Sequence, residues 1–286
     1  MIKKSTTQLL RFHFSFFLMP VYWFALSQTQ NINTADAVLI FVILHLLVYP
    51  ASNGYNSYMD RDTESIGGIK NPMQPTKQLF FTTVAMDIVA VAVSFIISIY
   101  FTAALVAYIL ASRAYSYRGI RLKKYPIAGY ITVILFQGAV TFFMVLHGSS
   151  MDKTLEVSWI NMLIASLLIG GFYPLTQIYQ HKQDKEDGVN TLSMILGYKG
   201  TFVFTALVYA LAMSLLAYQL FDQSQQKEFC MIQLFFLPVL VYFFWWFYKV
   251  ACNQQAANFV NTMRMNLLAS VCTNAAFISL FLIHKL

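Results

Sequence analysis

Charged residues are scarce in this sequence. Only 11% of its 286 residues are Asp, Glu, Lys or Arg, whereas about a quarter would be usual in a soluble domain. Hydrophobic residues make up 58% of the chain, and the mean hydropathy is +0.59. These values exclude an ordinary soluble domain and are typical of a protein that lies within a lipid bilayer.

Cysteine is scarce as well. The three cysteines, Cys230, Cys252 and Cys272, are far apart in apolar sequence and form no CxxC pair. This spacing excludes a disulfide framework and a CxxC redox or metal motif. We therefore interpret the cysteines as small apolar side chains.

Long apolar stretches are what the chain has in abundance. Nine of them are close to the roughly 20 residues that a helix needs to cross a bilayer. They cover 12–28, 36–56, 79–97, 100–114, 127–146, 158–178, 201–221, 230–248 and 265–284. The sequence thus predicts an all-α integral membrane protein with nine transmembrane helices. Two alternatives lower the count to eight: 79–114 as one long tilted helix, and the first stretch, which ends in ALSQ, as a cleaved signal peptide.

Basic residues predict the orientation of these helices. All but three of the 19 lysines and arginines lie at the N-terminus or in every second loop, the exceptions being Lys153, Lys227 and Lys285. Because loops rich in Lys and Arg stay in the cytoplasm, we expect the N-terminus and the loops near 57–78, 113–125 and 179–200 to be cytoplasmic. The same rule explains the net charge of +7. We expect no nucleic-acid partner, since no soluble segment interleaves basic and aromatic residues.

One polar segment recurs along the chain. The sequence YPASNGYNSYMDRDTE begins at Tyr49, and YPLTQIYQHKQDKEDG begins 124 residues later at Tyr173. The two segments end the second and the sixth apolar stretch, so they are one four-helix unit apart. We interpret them as the product of an ancient duplication. The predicted halves are roughly 10–125 and 126–250, followed by a last helix at 265–284, in a single domain of residues 1–286.

The spacing of polar residues in both segments matches one face of an α-helix. Asn56, Asp60 and Glu64 are four residues apart, as are Gln180 and Asp184, and residues four apart stay on one face. If two such faces met across a central cavity, their carboxylate and amide oxygens would suit Mg²⁺ bound with a substrate phosphate. The alternative is an ordinary solvated loop whose acids pair with neighbouring lysines and arginines.

A third loop is basic. The sequence SRAYSYRGIRLKKYP lies between the fourth and fifth apolar stretches. We expect Arg121 and Lys123 to face the same cavity and hold a diphosphate, because guanidinium and ammonium groups bind phosphate oxygens. The alternative is that these residues, like Lys124, only anchor the loop at the membrane surface.

In combination, the three loops resemble those of the UbiA-type intramembrane prenyltransferases. Asn56, Asp60 and Glu64 fall on this family's NxxxDxxxD motif, with Glu in place of the last Asp, and Gln180 and Asp184 fall on its DxxxD motif. The basic loop is similar to the family's YS…RLK…P…G segment. The matching residues there are Tyr115, Ser116, Arg121, Leu122, Lys123, Pro126 and Gly129.

The resemblance implies nine helices in a horseshoe around a central cavity, in a membrane enzyme that transfers an isoprenyl group. The donor would be a polyprenyl diphosphate and the acceptor a small molecule, often aromatic. Asp60, Glu64 and Asp184 would bind Mg²⁺, and Asp60 and Asp184 would be the catalytic pair. The diphosphate would contact Asn56, Arg121, Lys123 and Gln180. A bacterial member would lie in the inner membrane.

The second motif departs from the family's pattern, because Gln180 stands where the first Asp is expected. An amide oxygen can ligate Mg²⁺ but carries no charge, and Asp187, three residues after Asp184, could supply the missing carboxylate to the metal. The alternatives are a weakly held second metal and a catalytically degenerate scaffold. A secondary transporter is a further alternative, since internal repeats also occur in that class. The sequence does not identify the acceptor; among the family's acceptors we favour an aromatic, quinone-precursor-like compound.

Overall fold

Helices are the regular elements of this protein. The computed structural model describes residues 2–285, and we number the helices in chain order. They are α1 (Lys4–Phe17), α2 (Met19–Gln28), α3 (Thr34–Asp60), α4 (Lys77–Ser94), α5 (Ile99–Ser116), α6 (Pro126–Ser149), α7 (Trp159–Gln177), α8 (His181–Glu186), α9 (Leu192–Asp222), α10 (Gln226–Cys252) and α11 (Phe259–Lys285).

Membrane-spanning helices account for most of the chain. In residues 2–285, eight helices are long and apolar enough to cross a bilayer, and the pair α1 and α2, bent by 41°, brings the number up to nine. The prediction of an all-α membrane protein with about nine transmembrane helices is confirmed. The stretch 79–114 forms two helices, because the hydroxyl of Ser98 accepts the N–H of Phe101 at 3.0 Å and caps the start of α5.

The first apolar stretch belongs to the core of the bundle. The ring of Phe24 in α2 stacks on that of Phe277 in α11, with centroids 4.8 Å apart, and lies 5.2 Å from the ring of Phe142 in α6. All three side chains are buried. Such contacts make α2 an integral part of the helical packing.

Two of the spanning helices contain wide π-helical turns, at Val42–Val48 in α3 and at Leu135–Val140 in α6. The turn in α6 follows from close packing on α7. A Cβ atom on Gly138 would lie 2.4 Å from the backbone of Ser166, so only glycine permits this approach. The N–H of Ala139 in the same turn donates to Ser166 Oγ at 3.0 Å, which ties the turn to α7.

The three polar loops meet at one end of the bundle. Arg118 in the basic loop donates to the carbonyl of Met59 at 2.7 Å. The N–H of Asn190, after the second acidic segment, donates to the carbonyl of Lys124 at 3.4 Å. Two spanning helices separate each of these loops from the next, so all three loops lie on the same side of the membrane. Which end faces the cytoplasm stays a prediction.

The end of α3 differs from the sequence-based expectation. The helix stops at Asp60 because Arg61 adopts a left-handed conformation (φ 56°, ψ 41°), and the Arg61 N–H closes the last turn on the carbonyl of Ser57 at 3.1 Å. Asn56 and Asp60 therefore share a helix face. The prediction that Glu64 continues this face is wrong, since the helix does not reach it.

The second polar segment is not one continuous helix. α7 ends at Gln177, and Gln180 is the residue that precedes α8, whose first turn carries Asp184. The pair Gln180 and Asp184 thus occupies a different place relative to a helix end from Asn56 and Asp60. The internal duplication stays a prediction.

Candidate active site

A polar cavity of about 140 Å³ lies where the three loops meet. Its walls come from α1, α3, α5, α7, α8 and α11, together with the loops that follow α3, α7 and α8 and Lys123 of the basic loop. The carboxylates at the cavity are Asp60, Asp62, Asp184 and Asp187. Amides and cations also line it: Asn56, Gln177, Gln180, Gln183, Asn266, Arg11 and Lys123.

Asp60 is held by cations from the basic loop. Its side chain is 4% exposed, and its Oδ2 forms an ion pair with Lys123 Nζ. Arg121 Nη2 lies 3.6 Å from Oδ1, which is buried and accepts no hydrogen bond within residues 2–285. One turn earlier in α3, Asn56 Oδ1 accepts the hydroxyl of Ser116 at 2.8 Å. The last turn of α3 is therefore fixed against α5 and the basic loop.

Arg121 joins the two acidic segments and, in the described structure, lies outside the cavity lining. Its Nη2 forms an ion pair with Asp187, and its Nη1 donates to the carbonyl of Asp187 at 3.1 Å. Arg118 Nη2 lies 3.6 Å from the same carboxylate. The guanidinium of Arg121 is thus engaged by protein carboxylates, where the sequence led us to expect a diphosphate.

Two carboxyl groups of the cavity have raised pKa values. Burial raises the pKa of Asp184 to about 7; Lys123 opposes the rise, and Asp62, Asp60 and Asp187 add to it. Burial also raises the pKa of Asp62 to about 6, with Asp60 as the second cause. Neither Asp62 nor Asp184 has an ion-pair partner in the part of the chain that the structure describes. A bound cation would lower both pKa values, because it favours the charged form of each carboxyl.

Two tyrosines, Tyr115 and Tyr173, lie where the polar cavity meets its neighbours. The hydroxyls of Tyr115 and Tyr173 are in contact, and Gln177 Nε2 donates to the hydroxyl of Tyr173 at 2.9 Å. Two further cavities, of about 170 Å³ each, share residues with the polar one. One is mainly apolar, and the other has aromatic walls with hydroxyl and amide groups. Phe14 and Tyr173 border all three.

Comparison with models of known protein families identifies the family of this chain. A model of the UbiA prenyltransferase family matches residues 17–268. The chain belongs to this family. Comparison with curated proteins gives no match.

Solved structures of UbiA homologs share the fold. One from Archaeoglobus fulgidus, bound to DMAPP and Mg²⁺, is 19% identical with a TM-score of 0.71, over 98% of this chain and 100% of that one. A second from the same organism, bound to GPP and Mg²⁺, is 19% identical with a TM-score of 0.71, over 97% and 99%. An apo homolog from Aeropyrum pernix K1 is 18% identical with a TM-score of 0.68, over 93% and 97%.

Most of the predicted site residues of this UbiA family member line the polar cavity. They are Asn56, Asp60, Lys123, Gln180, Asp184 and Asp187. Glu64 is exposed beyond the end of α3 and, among the described residues, is not part of the lining. The functional role of each of these residues stays a prediction.

Sequence reasoning missed Asp62 and Gln183. Gln183 Nε2 donates to Asp62 Oδ1 at 2.7 Å, which joins residues 121 positions apart. A helix running through position 64 would place Asp62 on another face from Asp60, so the four-residue spacing favoured Glu64. Only the backbone conformation at Arg61 turns Asp62 toward the cavity. Gln183 has no sequence signal, because its partner comes from the other half of the chain.

The residues of the cavity fit Mg²⁺ bound together with a diphosphate. No three His, Cys, Asp or Glu side chains within residues 2–285 form a preformed metal cluster. Mg²⁺ commonly binds through one or two carboxylates plus waters and substrate phosphates, so it needs no such cluster. Asp60 Oδ1 and Gln183 Oε1 are buried oxygens that accept no hydrogen bond from the described chain, which is the donor chemistry that Mg²⁺ prefers.

Proposed function

We propose that this protein transfers an isoprenyl group from a polyprenyl diphosphate to an aromatic, quinone-precursor-like acceptor at the membrane, with Mg²⁺ as cofactor. Family membership supports the transfer. Homologs of the same fold have been solved with the prenyl diphosphates DMAPP and GPP together with Mg²⁺. The observation that carries the proposal is the junction at Tyr173, where a carboxylate-lined cavity meets an apolar one. A donor with a charged head and an apolar tail requires both.

The polar cavity would receive the diphosphate head of the donor. Lys123 and Arg11 line the cavity and offer cationic N–H donors to phosphate oxygens. Asn56 and Gln180 line it as well, and their amides can donate to the same oxygens. We assign Arg121 a supporting role, because its ion pairs hold the loops that form this cavity.

The carboxylates of the two acidic segments would hold the metal. We assign Asp60 and Asp184, one from each segment, as principal metal-binding and catalytic residues. Mg²⁺ bound there would offset the negative charge that develops on the departing diphosphate. Asp60 keeps a buried Oδ1 that accepts no hydrogen bond from the described residues. The carboxylate of Asp187 is paired with both Arg118 and Arg121, so we assign it mainly to holding the loops together.

The apolar cavity would hold the isoprenyl chain. It lies between α1, α2, α6, α7, α9 and α11, and its apolar lining includes Phe17, Leu18, Val21, Leu168, Ile169 and Phe172. Burial of the chain there would contribute roughly 25 cal/mol per Å² of apolar surface removed from water. The same walls exclude water from the reacting carbon, where water would otherwise capture an allylic cation.

The third cavity supports an aromatic acceptor. Its aromatic walls are Phe14, Tyr108, Tyr115, Phe136 and Tyr173, and its polar groups include Ser52, Asn53, Ser112, Thr132 and Gln137. A flat ring can stack on the aromatic walls while its oxygen substituents form hydrogen bonds with the hydroxyl and amide groups. Because Tyr173 also borders the donor cavities, a ring held here would be adjacent to the reacting end of the isoprenyl chain.

In the proposed reaction the C1–O bond of the donor breaks, and the diphosphate leaves with the electron pair. A ring carbon of the acceptor forms the new bond to C1, and its proton passes to an oxygen of the released diphosphate. The chain's own contribution is to orient the head, the tail and the acceptor around Tyr173 and to keep the junction dry. We also propose that the polar cavity opens on the cytoplasmic side, as the distribution of basic loops indicates.

Purified full-length protein, a labelled polyprenyl diphosphate and Mg²⁺ provide the test, with and without candidate aromatic acceptors. We expect diphosphate release and a labelled prenylated product that require both Mg²⁺ and an acceptor. Donor binding without transfer to any acceptor would contradict the proposal in favour of a degenerate scaffold. Movement of a ligand across sealed vesicles without chemistry would contradict it in favour of a transporter.

A further inference from the structure

The first acidic segment brings to the cavity a carboxylate that its motif spacing does not predict. Glu64 follows Asp60 by four residues, yet its side chain is exposed. Asp62 follows Asp60 by two residues and lines the cavity. The cause is Arg61, whose left-handed conformation ends α3 and changes the direction of the chain, so that helical spacing no longer applies after Asp60.

The loop after Asp62 is anchored in this arrangement. Ile66 and Ile69 exchange two backbone hydrogen bonds of 2.9 Å, and both side chains are buried in a small hydrophobic cluster beside α1 and α4. On its other side, Gln180 Nε2 donates to the carbonyl of Ser65 at 3.4 Å. The position of Asp62 is therefore set by a packed loop that contacts the second acidic segment.

The four carboxylates of the cavity differ in their ion pairing. Asp60 and Asp187 are paired with cations of the basic loop. Asp62 and Asp184 have no ion pair within residues 2–285. Two carboxylates in one cavity repel each other, and a shared cation would remove that repulsion.

Gln183 connects these two carboxylates. Its Nε2 donates to Asp62 Oδ1 at 2.7 Å, and it directly precedes Asp184 in α8. Its own Oε1 is buried and accepts no hydrogen bond from the described residues. The Oδ1 atom of Asp60, on a side chain that is 4% exposed, is a second buried oxygen at this cavity without a hydrogen bond. Oxygen atoms from both loops are thus available at the place where the loops meet.

We propose that Asp62 is a Mg²⁺ ligand of this protein, in the role that motif spacing gives to Glu64, and that it acts with Asp184 and Gln183 Oε1 across the two loops. The inference rests on the proposed function, because the metal would be bound together with the donor's diphosphate.

Binding of Mn²⁺, followed by electron paramagnetic resonance on the full-length protein with inorganic diphosphate present, tests this without any turnover. We expect Asp62→Asn to raise the Kd for Mn²⁺ by about tenfold or more, since loss of even an outer partner of a metal site costs about 10–100-fold. The matched control is Glu64→Gln, which removes a carboxylate two residues away and should leave the Kd within about twofold. An unchanged Kd in Asp62→Asn, or a tenfold rise in Glu64→Gln, would overturn the inference.

Thermal unfolding of each variant shows whether the fold is retained. If Asp62→Asn does not fold, Asp62→Glu and Glu64→Asp take the place of the two first variants. Each changes the side chain by one methylene, which should alter the Kd for Mn²⁺ only where the carboxylate is a ligand. An equal change of Kd in the two variants would overturn the inference. The outcomes separate the two proposals. Mn²⁺ binding that depends on Asp62, without transfer to any acceptor, contradicts only the proposed function. If transfer requires Mg²⁺ but the Kd for Mn²⁺ is unchanged in the Asp62 variant, only the assignment of Asp62 as a ligand is contradicted.

Discussion

The buried ion pair of Lys123 and Asp60 should contribute measurably to stability. The two side chains are 12% and 4% exposed. Lys123→Met keeps the length of the side chain but leaves the carboxylate with Arg121 Nη2, 3.6 Å away, as its remaining ion-pair partner within residues 2–285. Removing one partner of a buried pair costs about 3–5 kcal/mol. We expect a cost of about 3 kcal/mol in the free energy of unfolding, because Arg121 continues to offset part of the charge.

A double-mutant cycle isolates this interaction. Asp60→Asn and Lys123→Met are made singly and together, and unfolding is followed by circular dichroism in one detergent. The double variant should be less destabilised than the sum of the single ones by about 1–2 kcal/mol, within the range for residues in contact. Lys124→Met, an exposed position in the same loop, is the control and should change stability by less than about 0.5 kcal/mol. Single costs that add to within about 0.5 kcal/mol would refute the reasoning.

The remaining predictions concern pH, the second motif and orientation. The affinity of the protein alone for Mn²⁺ should fall from pH 8 to pH 6, because the pKa of Asp184 is raised to about 7 and this carboxyl is largely protonated at pH 6. A constant affinity in metal titrations over this range would contradict the prediction. Gln180→Ala should weaken Mg²⁺-dependent binding of diphosphate, measured by calorimetry. Asp187→Ala should mainly lower the unfolding temperature, since it removes the ion pair with Arg121. The reverse pattern would make Asp187 the ligand. Ser65→Cys should react with an impermeant thiol reagent from the cytoplasmic side, and labelling only from outside would show the opposite orientation.

The spans were predictable because they depend on local composition. A helix needs about 20 consecutive apolar residues to cross a bilayer, and such stretches can be recognised directly in the sequence. The break at Ser98 was also predictable, because a hydroxyl residue that caps a helix lies close in sequence to the N–H that it accepts. The wide turn around Gly138 was not, because it depends on the distance to Ser166 in another helix.

The site was predictable in its residue types and only partly in its geometry. Asn56 and Asp60 share a helix face as the spacing indicates, because that face lies within α3. Glu64 does not share it, because a left-handed conformation at an arginine has no strong sequence signal, unlike one at a glycine. Arg121 was expected at the diphosphate, but its partners are carboxylates from both acidic segments, and such long-range pairing is decided by tertiary packing.

The position of Tyr173 has a consequence for how selectivity can change. A substitution there alters the space for head, tail and acceptor at once, because this side chain borders all three cavities. Under the proposed function, preference for chain length and preference for acceptor are therefore coupled at this residue, and a gain in one brings a change in the other. Leu168 borders only the apolar cavity and Thr132 only the aromatic one among those three. Positions of that kind are where evolution or a protein engineer can adjust each preference separately.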